Sequence, residues 1–230
     1  MTEHTNRHYE QELVGLKEKI LEIGGRVEQM ISRAMSSLTE RDPDLAKQVI
    51  ESDTLVDAEE LEVDHLCLNL LALRQPAASD LRFITTALKI VTDLERIGDL
   101  AVNTAERSIE LAQEPRLKPY IDIPRMADKV SAMVHSALDA FVNRDPDGAR
   151  AVLASDDSVD ALNEQLFREL LTYMIEEPKN VTRALRITFI AKYLERVGDH
   201  ATNIAQMVIF MCEGQDVRHP GAQDALNKAL

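Results

Sequence analysis

Tryptophan is absent from this chain of 230 residues, and aromatic residues make up only 4% of it. Cysteine occurs twice, at Cys67 and Cys212, with no CxxC spacing; glycine and proline occur eight times each. Strands draw on aromatic and β-branched residues and their turns on Gly and Pro, so this composition favours long helices. No apolar run approaches the ~18–20 residues of a membrane span, and the first residues hold no apolar signal core. A cytoplasmic protein with free thiols is expected, without direct membrane insertion. Both cysteines sit in apolar helical contexts (LCLNLL and VIFMCEG), which marks them as core residues rather than nucleophiles. Basic residues are also scarce, 26 against 40 acidic ones, for a net charge of −14. An acidic surface repels nucleic-acid phosphate and anionic lipid. Metal cations and basic partner surfaces are its natural counterparts. With 45% hydrophobic and 29% charged residues the chain is globular, and its length suits one large domain or two smaller ones.

What is present is a repeat. Leu94–Ala105 (LERIGDLAVNTA) returns as Leu194–Ala205 (LERVGDHATNIA), with eight of twelve positions identical. The repeat reaches further. Arg41-Asp42-Pro43-Asp44 returns as Arg144-Asp145-Pro146-Asp147, and Val56-Asp57 as Val159-Asp160, both at an offset of 103. The offset falls to 100 at the signature, so the copies differ by three residues in the turn between. Apolar residues at Leu13, Leu16, Ile20, Ile23, Val27, Met30 and Ala34 step by three and four, the pattern of a bundle seam. Gly24-Gly25 lies within it and predicts close contact with a neighbour. Asp42 is placed to cap a second helix with Pro43 at its first position, running to about Leu73 before Gln75-Pro76. A third helix is expected from Ser79, as N-cap, to about Ala112. In the second half, Met126, Val130, Met133, Ala137 and Phe141 point inward, a single middle helix follows, and a last one runs from Asn180 to about Glu213 before Gly214. The fold read from this is all-α: two tandem, sequence-related three-helix bundles, six long helices in all, with short antiparallel connections. The first spans residues 1–114, a Pro-containing linker residues 115–124, the second bundle residues 125–214, and a tail residues 215–230.

A duplicated segment that merely drifts keeps its apolar positions and loses its charges. Here the charges persist. Glu95, Asp99 and Asn103 fall at i, i+4 and i+8, with Glu106 a further step, and Glu195, Asp199 and Asn203 repeat the stripe. Like charges at i, i+4 oppose a helix by a few tenths of a kcal/mol, and Gly98 and Gly198 each cost about 1 kcal/mol relative to Ala. Retaining both twice implies compensation from outside the helix. The second helix offers a facing stripe of Asp53, Asp57, Glu60 and Asp64; in the second half Asp157, Asp160 and Glu164 stand in. Facing carboxylates repel unless cations lie between them. Carboxylate and amide oxygens suit hard or borderline cations. The candidate ions are divalent or trivalent: iron, manganese, magnesium or zinc. Glycine beside the acids lets a neighbour or ion approach closely. Arg96 and Arg196 are suited to orienting carboxylates, since guanidinium does not deprotonate. Glu60 aligns with Asn163 and Asp64 with Phe167, so the two sites are read as unequal, the first, around Glu60, Asp64, Glu95 and Asp99, being the stronger.

These residues resemble the PhoU family, accessory proteins of the bacterial phosphate-specific transport system. The resemblance covers GGRVEQM, the RDPD junction, LRQPAASDLRFITTALK, LERIGDLAVN, LERVGDHATN and the GQDVRH tail. It implies a cytoplasmic, usually homodimeric helical protein with two three-helix bundles. It implies multinuclear metal sites on acid-x-x-x-acid motifs, carried here by Glu95/Asp99 and Glu195/Asp199. It also implies repression of the phosphate-starvation regulon, by coupling a phosphate ABC transporter and its ATPase subunit to a sensor histidine kinase.

Two other functions compete. A metal-free helical adaptor would dock its acidic faces on basic partner surfaces. A di-iron carboxylate enzyme would need two Glu-x-x-His pairs. The chain has one, Glu62 with His65, and Arg168 stands at the counterpart of His65. His200 is likewise unmatched, since Leu100 occupies its place in the first copy. No Gly-rich phosphate loop or HExxH is present, so no catalytic role is expected.

Overall fold

A computed structural model describes residues 2–214 and 217, with side chains from residue 8 onward. The described chain is helical throughout, in the order α1 (Thr2–Glu40), α2 (Pro43–Arg74), α3 (Ala78–Ala112), α4 (Asp122–Asn143), α5 (Pro146–Ser155), α6 (Asp157–Glu176), a 3-10 turn (Pro178–Asn180) and α7 (Val181–Glu213). The predicted tail, residues 215–230, lies outside the described residues except for Val217, which packs on the core.

The helix junctions repeat as the sequence suggests. Arg41 and Arg144 take left-handed backbone (φ 61° and 52°), and the next amides, Asp42 and Asp145, bond back to Ser37 and Ala140 carbonyls. That closes each helix in a Schellman turn without glycine. Asp42 Oδ1 then accepts from the Asp44 and Leu45 amides, and Asp145 Oδ1 from Asp147 and Gly148, at 2.9–3.0 Å. The same residue pair thus stops one helix and starts the next. Gly214, at φ 71°, ends α7.

Four boundaries differ from expectation. Ser79 does not cap α3; the cap position is Ala77, with no side-chain hydrogen bond. Pro124 is not linker but lies in the first turn of α4, where a missing N–H is tolerated. Pro178–Asn180 is a 3-10 turn preceding α7. The middle helix of the second half is divided at Asp156, whose amide reaches Leu153 O, three residues back instead of four.

Helices α1, α2 and α3 pack together as one bundle, and α4, α5/α6 and α7 as the other. The seam residues behave as the periodicity predicts: Leu16, Ile20, Ile23, Val27 and Ala34 of α1 and Met126, Val130, Met133, Ala137 and Phe141 of α4 are buried. The bundles are not separate beads. Helix α3 lies along α7 and α1 along α4, so one continuous core runs through both. Phe83 of α3 stacks on Phe141 of α4 with centroids 5.2 Å apart. A Cβ on Gly24 would stand 2.2 Å from Leu138 Cδ1, so Gly24 is the close contact that the glycine pair predicts, made to the other repeat; Gly25 meets nothing. Cys67 is buried and its thiol is pushed up to about 12 by burial; Cys212 moves in the same direction for the same reason. Among the described residues, no helix is long and apolar enough to cross a membrane.

Candidate metal centres

The signature glycines explain their own retention. A Cβ on Gly98 would meet Asp53 Oδ1 at 3.4 Å and Val56 Cγ1 at 3.5 Å; one on Gly198 would meet Asp156 Oδ1 at 3.3 Å and Val159 Cγ1 at 3.7 Å. In each repeat an aspartate of the middle helix therefore lies over a gap in the signature helix. The pairs Asp53/Asp156 and Val56/Val159 keep the offset of 103, while Gly98/Gly198 keep 100. The difference is absorbed after the middle helix, by an α3 that starts at Ala78, further ahead of Gly98 than α7, starting at Val181, is ahead of Gly198.

In the first repeat the two acidic stripes face each other as predicted. Asp53 is drawn above its ordinary range first by burial, then by Asp57 and Asp99. Its Oδ1 is buried and without a hydrogen-bond partner. Glu95 is raised by burial and by Asp99, Glu60 and Asp57, with Arg96 opposing. Glu60 is raised by burial, Asp64 and Asp57, with the Thr92 hydroxyl and Arg96 opposing. Six carboxylates from α2 and α3 thus feel one another: Asp53, Asp57, Glu60, Asp64, Glu95 and Asp99. Arg96 does what its type suggests, reaching Glu95 Oε2 at 3.3 Å and Asp99 Oδ2 at 3.1 Å.

The second repeat gathers four: Asp156, Asp160, Glu195 and Asp199. Asp156 is raised to about 6 by burial, then by Asp160, Asp199, Asp157 and Glu195. Sequence reasoning placed Asp157 in this stripe and missed Asp156. The signal was available, since Asp156 is Asp53 plus 103. Glu195 Oε2 is buried without hydrogen-bond geometry, although Lys192 Nζ lies against it as an ion pair. Arg196 is exposed and makes no ion pair among the described residues, so it does not repeat the role of Arg96.

Other predicted residues are turned elsewhere. Asn103 donates to Asp99 O of its own helix at 2.8 Å. Asn203 Nδ2 donates to Asp93 Oδ1 at 3.3 Å, across the seam between repeats, and His200 Nδ1 lies 2.7 Å from the same oxygen. Asp93 is buried and had no signature to announce it; its counterpart is Tyr193. Glu164 is exposed and pairs with Arg168. Asp64, by contrast, stays with the site, one turn beyond Glu60 and the first charge that raises it. Glu106 is exposed and lies 3.7 Å from Arg107. His65 is exposed on α2.

Among the described residues, no three His, Cys, Asp or Glu side chains are already gathered so as to hold a metal ion. The donor set nevertheless fits hard cations. It is all oxygen, it lines two facing helices, and it includes a buried aspartate oxygen with nothing bound to it. Residues Asp53, Asp57, Glu60, Glu95 and Asp99 would hold ions in one site and Asp156, Asp160, Glu195 and Asp199 in the other. A bound cation would lower every raised carboxylate at once and remove the mutual repulsion.

The PhoU domain family model matches residues 20–108 and 123–208, one match per repeat. A phosphate-specific transport system accessory protein PhoU homolog of Pseudomonas aeruginosa is 42% identical over 222 residues, covering 96% of this chain and 92% of that protein. The accessory protein PhoU of Escherichia coli is 34% identical over 230 residues, covering 100% of this chain and 95% of its own. The crystal structure of PhoU from Pseudomonas aeruginosa superposes with a TM-score of 0.86 at 41% identity, covering 90% of this chain and 100% of that one.

Proposed function

The chain belongs to the PhoU family, and from that premise we propose that it is an accessory protein of a phosphate-specific transport system that restrains phosphate uptake and represses the phosphate-starvation regulon through two carboxylate metal sites. The family supports the transport role. The observation that carries the metal reading is the paired placement of Asp53 over Gly98 and Asp156 over Gly198. A helix alone gains nothing from either glycine, and each gap is filled by a carboxylate facing two or more others. In this reading the protein works as a cytoplasmic homodimer between the ATPase subunit of the phosphate ABC transporter and a sensor histidine kinase, and catalyses no reaction. The metals cross-link the middle and signature helices of each repeat, so metal loading sets the shape presented to those partners.

Asp99→Asn combined with Asp199→Asn tests it. We expect less metal in protein purified without added metal, and raised expression of phosphate-scavenging genes in phosphate-rich medium. Unchanged metal content and unchanged repression together would sink the metal reading. Normal repression in a strain lacking the gene would sink the regulatory one.

One observation favours a metal-free adaptor. Arg96 already neutralises Glu95 and Asp99, and Lys192 already meets Glu195. Co-purification of the transporter ATPase or the kinase, with and without chelator, separates the readings. Chelator-resistant association supports the adaptor.

A further inference from the structure

The second repeat carries an exposed apolar strip at positions where the first is mostly small, polar or charged. On α6, Phe167, Leu171 and Ile175 recur every four residues and are 49%, 43% and 74% exposed; on α7, Leu185 and Phe189 are 43% and 50% exposed. The corresponding first-repeat residues are Asp64, Leu68, Ala72, Thr85 and Lys89. Four of the five positions have therefore exchanged a small, polar or charged residue for a large apolar one. A soluble protein gains nothing from doing so on an open face.

The two stripes border a groove. It has a volume of about 510 Å³ and runs between Phe167 and Phe189 at one end and Asp160, Glu164 and Glu195 at the other. Only Lys192 brings positive charge to its lining. Lys192 is committed to Glu195, and Arg168 alongside to Glu164, while Asp160 is exposed and has no ion-pair partner among the described residues. Helices α6 and α7 run antiparallel along the groove, which residues 160–167 and 188–195 line over about two helical turns, and the exposed Leu171, Ile175 and Leu185 continue the strip beyond it to about 22 Å.

We propose that this groove receives a cationic amphipathic helix of a partner protein. The helix would seat apolar side chains against Phe167, Leu171 and Phe189 and bring Lys or Arg to Asp160. Charge complementarity selects this occupant. A second copy of the chain carries the same acids and a net charge of −14, so a face-to-face pair through this strip would set carboxylate against carboxylate. Asp160 and Glu195 also belong to the second candidate metal site, so a bound metal would compete with the partner's cation for Asp160.

The absence of Trp makes the test direct. The probe is a synthetic Leu/Lys amphipathic peptide of about 18 residues with one Trp on its Leu face. It is titrated with chelator-treated protein and followed by Trp emission. We expect a saturable blue shift. Phe167→Ser with Phe189→Ser, which leaves the charge unchanged, should weaken binding about tenfold or more, and Asp160→Asn several-fold. Leu61→Ser with Leu68→Ser, on exposed leucines of α2 in the first repeat, should leave it unaltered. Leu171→Ser serves as a second variant should the double one melt early by circular dichroism. Equal binding by wild type and the Phe variants would overturn the proposal, since net charge alone would then attract the peptide. So would a switch from dimer to monomer in the Phe variants, which would make a second copy the occupant.

Discussion

The two repeats carry the same frame and dress it differently. Both place a Schellman turn on arginine, an aspartate cap, a valine and an aspartate against the signature glycine, and a buried seam on their first helix. Around that frame the first repeat lines its groove with facing carboxylates, of which Asp53, Glu60 and Glu95 are raised, and an arginine bridge, whereas the second has Asp156 raised and turns the rest of its groove apolar. What persists in both is the part that sets the approach of the middle helix to the signature helix. What diverges lies one or two turns further along, where the same two helices face solvent. The comparison teaches that close contact constrains both copies alike, while the exposed end of each groove is free to specialise.

The heaviest test of the comparison is whether the repeats are separable at all. Phe141→Ala removes one ring of the stack that joins them and should cost about 3–5 kcal/mol. Thermal unfolding followed by circular dichroism should still show one transition at lower temperature. Two resolved transitions would show that the shared core does not couple the halves.

Next comes the inequality of the sites. Asp53→Asn with Asp99→Asn, and separately Asp156→Asn with Asp199→Asn, should each weaken metal binding at its own site by about tenfold or more. Elemental analysis should show the larger loss from the first pair. Equal losses would erase the proposed difference.

A smaller effect distinguishes the buried aspartates by pH. Asp156 stands at about 6 in the folded protein against an ordinary value of 3.8. The fold therefore binds this proton more tightly than the unfolded chain does. Its contribution to stability is present below about pH 4 and falls as pH rises through 6. In chelator-treated protein, Asp156→Asn should add about 1 kcal/mol at pH 7, allowing for solvent screening, and raise Tm by about 2–4 °C. At pH 4 the gain should vanish. Asp53→Asn should act in the same direction more weakly. A destabilised Asp156→Asn protein would mean that the carboxylate is held by a bond rather than repelled by its neighbours.

The smallest effect probes the polar tie that Asp93 makes across the seam. His200 and Asn203 meet Asp93, whereas the equivalent places hold Leu100, Asn103 and Tyr193. A double-mutant cycle with Asp93→Asn and His200→Leu should give a coupling of about 0.5–1.5 kcal/mol. Zero coupling would make the contact incidental.

Much of this was legible in the residues. The RDPD pairs, the i/i+4 acids and the seam of α1 are short-range patterns, and each reports the geometry of a single helix. The carboxylates of the first site followed from the same periodicity. The errors arose where two segments had to be aligned. Helical spacing from Asp160 and Glu164 admits both Asp157 and Asp156, and only the contact with Gly198 discriminates between them. Asn103 and Asn203 share a stripe with the acids but bond elsewhere, because amide hydrogens find the nearest acceptor, a helix carbonyl in one case and Asp93 in the other.

The sequence by itself determined the long helices, their order, the two RDPD turns and the doubling, because hydrophobic period and capping chemistry act within a few residues. Only the tertiary structure decided that α3 lies along α7, that Gly24 serves Leu138, and that the groove of the second repeat is apolar at one end and acidic at the other. Those facts depend on which faces of distant helices meet, and packing of one continuous core settles that, not any local preference.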